Sequence, residues 1–373
     1  MKYYSFILVC LILTSCQFRD EQKMVQLSSS VDSLSNLYAP DKRVAIFDIK
    51  LSWSNHKLVV SGQTDQLNAY RDLIALLEKS DLPYQDMVLV LPDSLARITP
   101  YALVNNSVAN LRSQPGHSSE LATQALLGTE VKVLKVQDEW YLVQTPDQYI
   151  AWVDHGGVEL MDSAMIQEWR ATDKVLVTTM SGFVHQDSQV VSDVVMGDVL
   201  SMIGETEVGF DVVYPDGRTG QIDKENVIRL EDWKTSTIPN GERLVSISQQ
   251  FVGLPYLWGG TSPKAVDCSG FTKMIYAMNG MIIARDASQQ VYQGVLVDEG
   301  DGFSNLAKGD LLFFGKEATD STKRKVTHVG MWIGDNMMIH ASQRVRLSSF
   351  DSTSSLFDAH NLNRYLETRR LLP

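Results

Sequence analysis

The chain has 373 residues, enough for roughly two to four domains. Its 44% hydrophobic content supports packed cores rather than disorder. A formal net charge of -12 removes the basic surface that sequence-independent binding to DNA or RNA requires, and it leaves no polybasic patch for a membrane, so no nucleic-acid partner is expected.

The chain opens with Met1-Lys2-Tyr3-Tyr4-Ser5 and an apolar run from Phe6 to Leu13. One lysine and a short apolar core read as a secretory signal over 1–15, too short to span a bilayer as a mature helix. Leu13-Thr14-Ser15-Cys16 ends it and resembles a bacterial lipoprotein cleavage site, with Cys16 as the acylated residue. A plain signal peptide with an incidental cysteine is the simpler alternative. Several acyl chains on Cys16 anchor a protein stably where one does not, which makes the membrane a partner and the cell envelope the expected location. Residues 16–42 are polar and serine-rich (Leu27-Ser28-Ser29-Ser30, Asp32-Ser33-Leu34-Ser35) and read as a tether.

Residues 43–98 read strand, strand, helix, strand, a small αβ module. Val44 to Ile49 and Leu58 to Gly62 are β-rich, and Leu67 to Lys79 carries Leu67, Tyr70, Leu73, Ile74 and Leu77 as a helical stripe. Met87 to Leu91 reads as a buried strand ended by Pro92. No polar constellation assigns this module a chemistry.

Residues 100–162 carry short strands separated by turns, the pattern of a small barrel. Val108 to Ser113, Gly128 to Leu134, Glu139 to Val143 and Gln148 to Val153 resemble, in their order, a bacterial SH3-like domain. Residues 174–232 read as a weaker second copy, with Gly197-Asp198-Val199-Leu200, Phe210 to Tyr214 and Gly217 to Ile222 at the matching steps. Scaffolding or wall attachment is the plain role for both.

Residues 240–373 carry the chemistry. Glu242 to Val252 is an amphipathic helix stopped by Gly253 and Pro255, and a second runs from Cys268 to Met278, stopped by Asn279-Gly280. Strands at Leu311 to Phe314, Val326 to Ile333 and Met337 to Ser342 follow. A helix packed on an antiparallel sheet is an α+β arrangement.

Of three cysteines, Cys10 lies in the cleavable segment and Cys16 at the lipidation site, so Cys268 has no partner for an internal disulfide. A lone thiol in an exported protein is a liability unless it reacts. A buried structural cysteine is the ordinary alternative. The start of a helix and a nearby imidazolium both lower a thiol pKa, and Cys268 has the first in its sequence context. His328 and His340 are twelve apart across a hairpin centred near Asp335, which puts both on one face, diagonally placed. His340 can then hold one nitrogen of His328 and leave the other for Cys268. Ordinary polar histidines and a zinc pair are the alternatives. Zinc needs more ligands, and neither a second nearby cysteine nor a His-Glu-x-x-His spacing is present, so neither a metal nor another cofactor is expected.

Leu254-Pro255-Tyr256-Leu257-Trp258-Gly259-Gly260, Asp267-Cys268-Ser269-Gly270-Phe271, Thr327-His328-Val329-Gly330-Met331 and Ile339-His340-Ala341 together resemble the NlpC-type papain-like cysteine peptidases of bacterial cell walls. The resemblance covers about the last third of the chain. With SH3-like domains before it, the chain looks like the branch that cuts between D-glutamate and a diamino acid in peptidoglycan stem peptides. The resemblance makes Cys268 the nucleophile, His328 the base and His340 its orienting partner. It places Tyr256 beside the nucleophile and Ser269 among the substrate contacts. Asp286 falls where relatives hold the free amine of an N-terminal L-alanine, although an aspartate there is equally natural as a helix cap. Relatives often carry serine after that aspartate. This chain has Ala287, so one substrate hydrogen bond is lost or falls to Ser288. Glu120 and Tyr149 sit near where relatives narrow the substrate end of the cleft. An amidase or transferase on the same fold, and a non-catalytic wall-binding protein, remain as alternatives; the Cys268, His328, His340 set disfavours the latter.

Overall fold

The computed structural model describes residues 22–54, 57–299 and 302–373. The segment expected as a signal peptide, with Cys16, lies outside the described residues. The chain divides into two compact units, Met1–Arg97 and Ile98–Pro373. Among the described residues, no helix is long and apolar enough to cross a membrane.

In the first unit the expected tether is a helix, α1, over 22–38. Leu27, Val31, Leu34 and Tyr38 recur at helical spacing and give it an apolar stripe. Leu27 and Val31 are buried, with Leu34 and Tyr38 packed beside them. Serine richness indicated solvent and linker, but the stripe gives the segment a face to bury. β1 (Phe47–Ser54), β2 (Lys57–Thr64) and β3 (Tyr84–Val90) form one sheet in that order, and α2 (Leu67–Lys79) crosses between β2 and β3, which run parallel. The inward face of α2 is Ala69, Leu73 and Leu77; Leu67 is exposed. β3 corrects the expectation of a buried strand. It is an edge strand with Met87 and Leu89 exposed, because the sheet's core gathers on its other face.

The second unit begins with β4 (Tyr101–Val104), β5 (Val108–Arg112), β6 (Leu121–Leu126), β7 (Glu130–Gln137), β8 (Trp140–Gln144), β9 (Ile150–Asp154) and β10 (Val158–Met161). Their order across the sheet is β10-β4-β7-β8-β9-β5-β6. A short helix, α3 (Ser163–Ala171), follows, capped by Asp162. Then come β11 (Lys174–Val177), β12 (Ser181–Gln186), β13 (Gln189–Val195), β14 (Val199–Glu205), β15 (Gly209–Val213), β16 (Thr219–Asp223) and β17 (Val227–Arg229). Their order is β17-β11-β14-β15-β16-β12-β13. Adding seven to each strand number of the first sheet reproduces the second. Both sheets also carry a single 3-10 turn before the last strand, at His155–Gly157 and Lys224–Asn226. The sheets meet closely at Gly128, whose φ is +75°; a Cβ there would come within 2.2 Å of the Val199 carbonyl oxygen. The buried Asp198 carboxylate joins them by accepting the N–H groups of Leu127 and Val195 at 3.2 and 2.8 Å.

After α4 (Leu230–Ser236), α5 (Gly241–Gln250) starts at Asn240, whose side chain accepts the Arg243 N–H, and ends where Gly253 takes a φ of +92°. A two-strand ribbon, β18 (Thr261–Ser262) and β19 (Ala265–Val266), leads into α6 (Cys268–Met278) and α7 (Ala287–Gln290). The last sheet is antiparallel throughout. It contains β20 (Val295–Asp298), β21 (Leu311–Lys316), β22 (Lys325–Gly334), β23 (Met337–Ser342), β24 (Arg344–Ser349) and β25 (Tyr365–Arg370), in the order β20-β25-β21-β22-β23-β24. A one-turn helix, α8 (Ala359–Leu362), precedes β25. Phe251, Phe271 and Ile275 from the helical layer share a core with Phe313, Val329, Met331 and Ile339 of the sheet. Leu312, Phe314, Trp332 and Met338 form a second cluster, packed with Phe350 and Phe303.

Candidate active site

Asp267 caps α6: its Oδ1 accepts the Gly270 N–H at 2.7 Å. Cys268 is therefore the first residue of the helix, as the sequence predicts. Gly270 lets that first turn sit against the preceding loop, since a Cβ there would lie 2.0 Å from the Gly260 carbonyl oxygen. The thiol is the free cysteine of the described residues, 8% exposed and packed in the core shared by α6 and the sheet.

The histidines meet across the hairpin of β22 and β23. Asp335 and Asn336 both take positive φ, 52° and 57°, the conformation a tight two-residue hairpin turn requires. Met331 pairs with Ile339, so His340 falls two positions along the ladder from His328. Their rings touch with His328 Nε2 and His340 Nδ1 2.7 Å apart. His328 is 9% exposed and His340 fully buried. Gly330, opposite His340, keeps this space open; a Cβ there would come within 3.2 Å of the His340 Cβ. The Phe314 ring flanks His328 with ring centroids 5.8 Å apart.

The electrostatics differ from the sequence expectation. Burial, then the Asp267 carboxylate, push the Cys268 thiol up to about 12. Hydrogen bonding from the backbone N–H groups of Val329 and Ser269, and the Arg285 charge, oppose this without winning. Burial, then His340 and Arg364, hold His328 well below its usual value, and burial takes His340 down to about 4. Burial thus disfavours both the thiolate of Cys268 and the imidazolium of His328. The helix start favours the thiolate, but desolvation is the larger effect here.

Arg285, which sequence reading missed, is the buried hub beside Cys268 and its cap. It is 1% exposed and holds Asp267 through Nη2 at 2.6 Å and Nη1 at 3.1 Å. Burial works against its charge, and Asp267, with Asp286 and Tyr149, outweighs burial. Ser269, expected among the substrate contacts, is 4% exposed and instead receives Arg285 Nη1 at 3.1 Å in this network. Arg285 Nε reaches Thr123 Oγ1 on β6 at 2.9 Å, which ties the first seven-stranded sheet to the Asp267 cap of α6. Three further links hold that junction. Gln124 and Thr261 exchange hydrogen bonds at 2.9 and 3.0 Å. Lys273 on α6 pairs with the buried Asp147 at 2.8 Å. A Cβ on Gly259 would come within 2.2 Å of the Leu121 carbonyl oxygen. Arg285→Met leaves the Asp267 carboxylate buried without its cation. It is expected to destabilise the second unit by about 3–5 kcal/mol, read as a lower urea midpoint of that unit's transition. An unchanged midpoint rejects Arg285 as the keystone of this network.

The remaining predicted residues cluster around the same point. Tyr256 lies half-buried, its hydroxyl pKa raised by burial and then by Cys268 and Asp267. Glu120 accepts the Trp258 Nε1–H at 2.6 Å, two residues from Tyr256. Tyr149 is buried and close enough to Arg285 to act on its charge. Asp286 begins α7 in a capping box with Gln289 and lies 3.7 Å from Arg285 Nη1; its side chain is 27% exposed. Ala287 is buried. Among the described residues, no group of three or more His, Cys, Asp or Glu side chains could hold a metal. A cavity of about 270 Å³, lined among others by Leu126, Leu176, Trp233, Lys273 and Met278, lies along the far part of α6, and neither Cys268 nor either histidine lines it.

Comparison with known proteins agrees with this geometry. The model of the NlpC/P60 family matches residues 253–369, and that of a bacterial SH3 domain matches 107–159. The chain is 31% identical over 262 residues to a γ-D-glutamyl-L-lysine dipeptidyl-peptidase of Bacillus cereus, covering 67% of this chain and 77% of that protein. It is 27% identical to dipeptidyl-peptidase 6 of Lysinibacillus sphaericus, covering 69% of this chain and 94% of that one. The crystal structure of an NlpC/P60 family protein from Bacillus cereus superposes with a TM-score of 0.62 at 27% identity, covering 73% of this chain and all of that one. A lone thiol at a helix start, a histidine pair across a hairpin and a docked SH3 domain coincide with these matches: the chain belongs to the NlpC/P60 family of cysteine peptidases.

Proposed function

We propose that this protein hydrolyses the bond between γ-D-glutamate and a diamino acid in peptidoglycan stem peptides. The observation that carries the chemistry is the bonded His328–His340 pair in the layer that packs on Cys268. Relatives named as γ-D-glutamyl-L-lysine dipeptidyl-peptidases support the choice of bond. In this reading His328 takes the thiol proton as Cys268 sulfur bonds the scissile carbonyl carbon. Collapse of the tetrahedral adduct breaks the C–N bond, and His328 passes the proton to the leaving amine. Water, deprotonated by His328, then attacks the thioester and releases Cys268 as the thiol. Tyr256 and the first-turn N–H groups of α6 are the donors we assign to the oxyanion.

We assign the free N-terminal amine of L-alanine to Asp286, and to Glu120 and Tyr149 the narrowing of that end of the substrate site. We also read 174–232 as a second SH3-like domain, supported by its strand order, and Cys16 as a lipid anchor to the cell envelope, supported by the Leu-x-Ser-Cys pattern.

Mass spectrometry of digests tests the substrate. The pair is L-Ala-γ-D-Glu-diaminopimelate and its N-acetylated form, with wild type and Asp286→Asn. Loss of a charge-assisted hydrogen bond is worth about 1.5–3 kcal/mol, so acetylation is expected to slow wild type by about 10- to 100-fold. Asparagine still caps a helix, so Asp286→Asn removes the charge and keeps α7. Equal cleavage of both peptides by wild type rejects the free-amine rule and leaves Asp286 as a cap. Cleavage at another bond rejects the proposed reaction.

A further inference from the structure

The hydrogen-bond chain that begins at His328 continues past His340. His340 Nε2 lies 3.0 Å from Ser348 Oγ on β24 and 4.0 Å from Asp358 Oδ2, the cap of α8. Ser348 also lies near enough to Asp358 for its side chain to favour the carboxylate. All three are buried, at 0%, 3% and 9% exposure. Asp358 also accepts the Asn361 N–H at 3.0 Å and its Nδ2 at 2.7 Å. Burial pushes this carboxyl up, but the bonds from Asn361 and Ser348 and the nearby His340 bring it below the usual range, so it is ionised.

An ionised carboxylate only accepts. Ser348 therefore donates its one proton to Asp358, and its oxygen must accept from His340 Nε2–H. A neutral imidazole carries a single N–H, so His340 Nδ1 presents a lone pair. It accepts from His328 Nε2–H, and the His328 Nδ1 is left unprotonated, as a base for Cys268 must be. We propose that Ser348 and Asp358 are positioning residues that fix the tautomers of both histidines and thereby keep His328 ready as the base. The inference rests on the reading of His328 as the base for Cys268. The other charged groups acting on the two rings are Arg346 on β24, His360 in α8 and Arg364 before β25. Arg346 and Arg364 carry no acceptor, and the group within hydrogen-bond distance of His340 Nε2 is Ser348 Oγ.

Asp358→Asn offers an N–H in place of an acceptor oxygen. If that N–H points to Ser348, the chain of donors reverses and His328 carries its proton on Nδ1. Ser348→Ala cuts the chain, and Ser348→Thr keeps the hydroxyl. The full-length protein, ¹⁵N-labelled, is first read by long-range ¹H–¹⁵N NMR at neutral pH. The expected result is both histidines neutral with the proton on Nε2; a proton on His328 Nδ1 overturns the proposal without any variant. Ser348→Ala and Asp358→Asn are then expected to lower kcat about 10- to 100-fold with KM little changed, no more than the loss expected on removing His340, which bonds His328 directly. Ser348→Thr should stay within a few-fold of wild type. The rate of Cys268 alkylation by iodoacetamide should fall in parallel with kcat, a readout that needs no peptide. Folded Ser348→Ala and Asp358→Asn proteins with wild-type kcat and alkylation rates overturn the proposal. Persistent activity of Cys268→Ala instead rejects the cysteine-peptidase reading, and the tautomer result stands apart from it.

Discussion

Cys268→Ala is expected to abolish peptide hydrolysis, a loss on the order of a million-fold in kcat, while the protein stays folded. In the proposed mechanism the sulfur is the atom that forms the covalent intermediate. The structural penalty is small. The side chain is one buried sulfur in a large core, so its removal costs about 1 kcal/mol. Chromatography of the released peptides gives the rate, and circular dichroism checks the fold. Alkylation of the wild type should give the same loss, and chelators should have no effect. Substantial turnover by folded Cys268→Ala protein, or activity lost to a chelator and restored by zinc, rejects the thiol mechanism. Burial pushes the thiol up to about 12, so in the proposed mechanism its reactivity near neutral pH depends on the handover of the proton to His328. A bulk thiol with that pKa would barely react.

Much of this site was legible in the sequence, because its geometry follows from local rules. Asp267 before a helical stripe predicts a cap, and the cap sets where Cys268 sits. The even spacing of His328 and His340 about an Asp-Asn turn predicts one face and a diagonal contact, and the rings do meet. Ser348 follows His340 by eight, across the next hairpin, and the same parity argument applied to β24 finds it. Asp358 has no such signal, since it reaches the site through a loop and a one-turn helix. Nor do Arg285, Thr123 and Gln124. Their roles depend on which edge of the first seven-stranded sheet meets the peptidase domain, a tertiary choice that no local period encodes. The thiol's electrostatics went astray for a related reason. The helix start is visible in sequence, whereas the desolvation that outweighs it is a property of packing. At α1, composition and periodicity disagreed, and the stripe of Leu27 and Val31 prevailed over the serines.

His328→Ala is expected to lose about 10,000-fold or more in kcat, and His340→Ala on the order of 100- to 1,000-fold. In the proposed mechanism only His328 exchanges a proton with the thiol and the leaving amine, and His340 acts by holding its ring. His340→Gln should fall between wild type and His340→Ala, because a glutamine oxygen can still accept the His328 Nε2–H. The pH profile separates these roles further. The base must be neutral to work, and burial, with His340 and Arg364, holds His328 well below its usual value. The acid limb of kcat/KM should therefore lie well below pH 6.5 in wild type. Removing His340 opens the buried side of His328 to water. Burial is the main cause of the low His328 value, so the acid limb of His340→Ala should move up toward 6.5. Steady-state rates from about pH 4 to 8 on the free-amine tripeptide measure both effects. If His340→Ala is as inactive as His328→Ala at unchanged stability, or its acid limb stays put, then His340 is more than an orienter and the two rings act as one catalytic unit.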